Sequence, residues 1–257
     1  MKSSQAISSS ICNCILLCLF TVLSANAQGD SWPATKSLAI SEENAALLNR
    51  HQEYPNLEKL EISCLESLSS LPTSIGTLAK LKELIIDNGN GCSMNPELPE
   101  SIGNLHALEK LVLFGAQDAR PIGKDYGPQP RDHHRFPKSM SQLTNLTYLD
   151  LGRNGFEEIP EFVKDLPNLR EFGFAWNEKV KALPPFLVGL RKLQTLRLDA
   201  DGLTDLPGFL NQLPKLSRIT LGDNCKITQN ATKTKTLQRR FPKISLDFND
   251  EYDCPAK

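Results

Sequence analysis

Apolar residues fall along this chain in a fixed rhythm: two of them three positions apart, a third two further on, then a polar break. From Leu57 the pattern Leu-x-x-Leu-x-Leu, followed by Leu-Pro-x-x-Ile-x-x-Leu, returns about every 23 residues. The fullest copy runs Leu146, Leu149, Leu151, Asn154, Phe156, Ile159, Pro160, Val163, Leu166. Copies open at Leu57, Leu81, Leu108, Leu146, Leu169, Leu193 and Leu216, at intervals of 24, 27, 38, 23, 24 and 23. One interval therefore carries a long insertion. The alternation within each copy, as at Leu111 and Leu113, predicts a short strand with its Leu side chains turned inward. Proline in the return, at Leu71-Pro72, Leu98-Pro99, Leu183-Pro184 and Leu206-Pro207, cannot join a central strand, so that face is not expected to form a second regular sheet.

No single copy can bury its Leu face alone. Stacking does so, each buried Leu contributing roughly 1.5–3 kcal/mol. Asn154, Asn177 and Asn224 share one place in the repeat, where an Asn can satisfy the loop backbone of neighbouring rungs. Leu65, Gly89, Ala116 and Asp201 take that place elsewhere, so the ladder is incomplete. Ahead of the repeats, Ser41-Glu42-Glu43-Asn44 followed by Ala45, Ala46, Leu47 and Leu48 predicts an N-capped helix that covers the apolar end of the stack. Ile244, Leu246 and Phe248 predict one last strand at the far end.

From Leu57 to Phe248 the chain resembles the leucine-rich-repeat family, in the subtype with Leu-Pro-x-x-Ile returns seen in Ras-group-like and many bacterial repeat proteins. The resemblance implies an α/β solenoid, or horseshoe, with a parallel sheet on the concave face, irregular or helical returns on the convex face, and protein partners. It departs from the pattern at Leu65, at the insertion and in the last return, from Thr228 to Phe241. The organisation expected is a signal peptide over 1–27, a cap with a short helix over 28–56, seven repeats and a terminal strand over 57–248, and a tail over 249–257. The insertion spans 115–135.

Lys2, the apolar run Ile11 to Leu23 and the small-x-small site Ala25-Asn26-Ala27 read as a secretory signal peptide cleaved near Ala27. This run of 13 residues falls short of the roughly 20 that span a bilayer. A lipid-modified Cys is disfavoured, because Cys12, Cys14 and Cys18 lie before or inside that run. Cleavage leaves Cys64, Cys92, Cys225 and Cys254. Cysteines at opposite ends of a solenoid cannot approach within about 7 Å, so the pairs expected are Cys64–Cys92 and Cys225–Cys254. The chain is then secreted, periplasmic or extracellular.

Residues between the inward Leu positions project from the concave sheet in columns. Ile85, Val112 and Phe114 are apolar where water is expected, with Tyr148 and Trp176 on the following rungs. Gathered exposed apolar groups are candidate interface anchors, unless the insertion folds over them. Asp150, Arg153, Arg197 and Asp199 add mixed charge that could orient a partner, although surface charges are usually only solvated.

With 29 basic and 30 acidic side chains, the chain offers no electrostatic case for nucleic acid. His133-His134 is a weak metal candidate, since adjacent side chains diverge and no third ligand is spaced to join them. No nucleotide-binding, hydrolase or metalloprotease motif is present, and no cofactor is implied. Asn145-Leu-Thr147 and Asn230-Ala-Thr232 match the N-glycosylation pattern, which matters only in a eukaryotic secretory pathway. The reading is a secreted, non-enzymatic, monomeric protein-binding module that uses its concave face. The alternatives are an inhibitor or adaptor of an extracellular enzyme, and a structural envelope or matrix component.

Overall fold

A computed structural model describes residues 34–65, 68–88, 96–115 and 136–250. The expected signal segment, Cys92, Cys254, and the His133-His134 pair within the insertion lie outside the described residues. The alternation in each repeat yields a strand as expected: β1 (Ser37–Ile40), β2 (Lys59–Ser63), β3 (Glu83–Asp87), β4 (Lys110–Phe114), β5 (Tyr148–Asp150), β6 (Glu171–Gly173), β7 (Thr195–Arg197), β8 (Arg218–Thr220) and β9 (Ser245–Asp247). All nine pair in parallel and in chain order, so the sheet is a one-dimensional stack. This is the leucine-rich-repeat solenoid that the resemblance implies. The cap contributes one strand more than the repeat pattern predicts: β1 pairs with β2, because Leu38 and Ile40 alternate inward just as Leu60 and Ile62 do.

The inward residues form one continuous core, with Leu84, Leu111, Leu149, Phe172, Leu196 and Ile219 stacked in register and excluded from water. Phe156 and Phe174 stack at 5.6 Å between ring centres. Each return is a single turn of 3-10 helix set by a proline. Pro72, Pro99, Pro137, Pro160, Pro184 and Pro207 precede the turns Thr73–Thr77, Glu100–Asn104, Lys138–Gln142, Glu161–Asp165, Pro185–Gly189 and Gly208–Gln212. The proline carbonyl accepts the N–H three residues on, from Ile75 in the first turn and Leu210 in the last, at 3.0–3.2 Å. That third residue is the one driven into the core. The last return departs from the turn, as its sequence does: it forms α1 (Cys225–Thr228) and α2 (Ala231–Arg240), with Asn230 capping α2 by accepting from the Lys233 N–H at 3.0 Å.

The Asn ladder is built as the repeat register suggests. Asn154, Asn177 and Asn224 are buried and donate to carbonyls of their own rung and of the rung before. The Asn177 carboxamide oxygen also accepts from the N–H groups of Asn154 and Phe156, at 3.2 and 3.1 Å. Asp201 stands in the same place and accepts from the Asn177 N–H at 2.8 Å. Burial pushes its carboxyl well above the ordinary range, the Asn177 N–H opposing and the Asp199 charge adding to it. In the second rung Asn88, one residue earlier than the repeat place, reaches the Gly115 carbonyl.

At the chain's entry the expected cap is a 3-10 segment, Glu42–Glu53. Asn44 secures it instead of the Ser41 hydroxyl: the Asn44 side chain accepts from the Ser41 N–H at 2.7 Å and donates to the Ala39 carbonyl at 2.9 Å.

Candidate functional site

The strand register aligns the outward side chains into the columns read from the sequence. Glu61, Ile85, Val112, Asp150, Gly173, Arg197 and Thr220 are successive pairing partners, and Asp247 extends the row. Ile85, Val112, Phe114, Tyr148, Asp150, Arg153, Trp176, Arg197 and Asp199 are all half-buried. Seven of them fall into two groups, with Tyr148 and Arg153 in neither. Phe114, Asp150, Trp176, Arg197 and Asp199 line one hollow of about 390 Å³ that runs from the end of β4 to β9, while Ile85 and Val112 pair side by side on β3 and β4.

Small residues make that hollow. A Cβ on Gly152 would lie 2.8 Å from the Phe114 ring, and one on Gly173 would lie 2.7 Å from the Asp150 carboxyl. Large side chains thus lean across the glycine of the following rung, and Ala175 joins them on the lining. The sequence columns contain these glycines, but column position alone assigns them no role. Arg218, Thr220, Asp223, Asp247 and Asn249 are also on the lining. Neither an apolar side chain nor a central place in the columns singles them out in the sequence. Gly152 after Phe114, and Gly173 after Asp150, are the signals that could have found the recess.

Ion pairing fixes one flank. Arg197 donates to the Asp150 carboxylate at 2.5 Å and to the Tyr148 hydroxyl, and its guanidinium lies 5.4 Å from the Tyr148 ring centre. Burial and the Asp150 charge push the Tyr148 phenol above its ordinary value, with Arg197 partly opposing. Arg218 pairs with Asp247 at 2.8 Å. Asp199 is held by neutral donors: the Thr220 hydroxyl, and the Gly222 N–H at 2.9 Å.

The rim is a row of left-handed corners. Cys64, Gly115, Arg153, Trp176, Ala200 and Asp223 have φ of 47°, 62°, 59°, 65°, 53° and 57°. Each corner N–H donates across to a neighbouring rung where its bond is resolved, Trp176 to the Asp199 carbonyl at 2.8 Å and Ala200 to Gly222 at 2.8 Å. A left-handed residue other than glycine costs on the order of 1 kcal/mol, most naturally accepted by small or polar side chains. Trp176 is the bulkiest residue in the row, and its indole borders the hollow.

Cys64 and Cys225 are each disulfide-bonded. Among the described residues no group of His, Cys, Asp or Glu is arranged to hold a metal ion, and no helix is long and apolar enough to cross a membrane.

No protein-family model matches the chain. The TMV resistance protein N of Nicotiana glutinosa is 30% identical over 159 residues, 56% of this chain and 13% of that protein. Receptor-like protein 39 of Arabidopsis thaliana is 26% identical over 186 residues, 70% of this chain and 19% of that one. The chain therefore spans less than a fifth of either relative. Among solved structures, the Drosophila Toll–Spatzle complex contains a chain that aligns with a TM-score of 0.53 at 17% identity, over 74% of this chain and 23% of that one. That likeness is one of fold.

Proposed function

We propose that this leucine-rich-repeat solenoid is a secreted protein-binding module that recognises its partner on the concave face, over β5 to β8. One observation carries the reading. Trp176 occupies a left-handed corner that the neighbouring rung fills with Ala200 and an earlier rung with Gly115, so packing does not require an indole there. A strained aromatic, half-exposed beside a hollow, is the kind of group that anchors an interface. Phe114 supplies the facing wall, and the Tyr148, Asp150 and Arg197 cluster fixes the flank without needing to reorganise when a partner arrives.

Secretion fits the same reading. Disulfide bonds at Cys64 and Cys225 suit an oxidising compartment, with Cys92 and Cys254 as the partners proposed and residues 1–27 as the cleaved signal. The Toll–Spatzle pair supplies an analogy in which such a fold takes part in a protein complex. The module needs no catalytic group for this role.

The test is capture of binding proteins from a secreted fraction on immobilised wild-type chain. A Phe114→Ala/Trp176→Ala variant and a convex-face Glu161→Ala control are run beside it. Loss of a central anchor should weaken binding by about 2 kcal/mol or more. The reading predicts retention by wild type and control, and loss from the double variant. Equal retention by all three would move recognition off the concave face.

A further inference from the structure

The hollow has a charge preference. Its lining carries four carboxylates, Asp150, Asp199, Asp223 and Asp247, against two guanidinium groups, Arg197 and Arg218. Both arginines are committed, Arg197 to Asp150 and Tyr148, and Arg218 to Asp247. Asp199 has no basic partner among the described residues; its oxygens take only the Thr220 hydroxyl and the Gly222 N–H. Its carboxylate is therefore uncompensated on the wall of a recess whose apolar lining is Phe114, Ala175 and Trp176.

Three properties then select an occupant. A space of about 390 Å³ takes one long side chain more readily than a folded element. The aromatic walls suit an aliphatic stem and a cation beside a π-face. The uncompensated carboxylate favours positive charge and penalises an acidic group brought near it. We infer that the hollow is a specificity pocket for a lysine or arginine side chain presented by an extended segment of the protein partner, with Asp199 as its counter-charge. This rests on the concave-face reading and narrows it to one partner chemistry.

The experiment pans a displayed library of random linear peptides against the full chain. Recovered peptides are then titrated against wild type, Asp199→Asn and Trp176→Ala. The carboxamide that Asp199→Asn introduces can still accept from the Gly222 N–H, so the strand end stays formed, which a thermal melt verifies.

The expected result is recovery of peptides sharing a Lys or Arg. Their affinity should fall about tenfold or more on Asp199→Asn, and equally when the shared cation is replaced by norleucine or citrulline. Peptides that are lost on Trp176→Ala but indifferent to Asp199→Asn would overturn the cation assignment and leave concave recognition standing. Peptides held equally by all variants would overturn both. Absence of any enrichment would also count against the pocket.

Discussion

In the first three rungs the convex turns place Ser74, Ser101 and Ser139 at their second position and Gly76, Gly103 and Ser141 at their fourth. In the next three the same positions hold Phe162, Phe186 and Phe209, then Lys164, Val188 and Asn211. The early turns are in close contact: a Cβ on Gly76 would lie 2.3 Å from the Ser101 carbonyl, and one on Gly103 would lie 2.5 Å from the Ser139 side chain. The late turns are wedged apart by half-buried phenylalanines. Parallel strands stay about 4.8 Å apart whatever the turns do, so extra width on the outside becomes curvature. The strands follow suit, with five residues in β2 to β4 and three in β5 to β8. The hollow lies in the wedged half. The comparison teaches that the period sets the stack, while side-chain volume on the convex face shapes the concave one.

The sharpest way to break the second half is Asn177→Ala. It removes donors to Leu151 and Phe174 and the acceptor of two buried N–H groups, a loss of about 3–5 kcal/mol. Hydrogen exchange should lose protection around β5 to β7 while β2 and β3 stay protected. Uniform loss along the chain would show that the halves are not separable.

The first half answers to volume. Gly76→Val should destabilise by about 2 kcal/mol in urea unfolding, because the clash is with backbone that cannot rotate away. Valine already stands at the equivalent Val188, so a neutral Gly76→Val would mean that the two turn layers are alike.

The smallest effect sharpens the ladder. Asp201 has a folded-state carboxyl raised above its ordinary 3.8, so its proton is bound more tightly in the folded chain. Its contribution is fully present below that value and is lost as pH rises through the raised one. Asp201→Asn should therefore stabilise by about 1 kcal/mol at pH 7, with the advantage shrinking as pH falls toward the ordinary Asp value. A gap that widens on acidification would contradict the assignment.

The strand columns were legible because a period of two on a buried face admits one register, and residues such as Glu61, Ile85 and Val112 fell where alternation put them. The extra strand β1 was hidden because four residues are too short to display a repeat. The Ser41 cap failed because the Asn44 N–H that its hydroxyl would take donates to the Ser41 carbonyl instead, at 3.2 Å, while the Asn44 side chain takes the Ser41 N–H. At the candidate site, anchors were legible one by one, but their grouping was not. That Phe114 and Trp176 share a hollow while Ile85 and Val112 do not depends on which neighbour is a glycine.

The join between β4 and β5 has a consequence for how this chain can change. Leu111 still pairs with Leu149, the Glu100 carboxylate still accepts from the Lys138 and Ser139 N–H groups at 3.3 and 3.1 Å, and Asn145 still donates to the His106 carbonyl at 2.7 Å. The flanks of the insertion are thus clamped to each other by strand pairing and an Asn-to-carbonyl bond of the kind that Asn168 makes to Thr144 at the next junction, with the Glu100 carboxylate adding a clamp of its own. Doubling the length of a segment spliced between such fixed ends adds only about 0.6 kcal/mol of closure entropy. The interval from 116 to 135 is a place where sequence can be exchanged, lengthened or grafted while the rungs on either side keep their alignment.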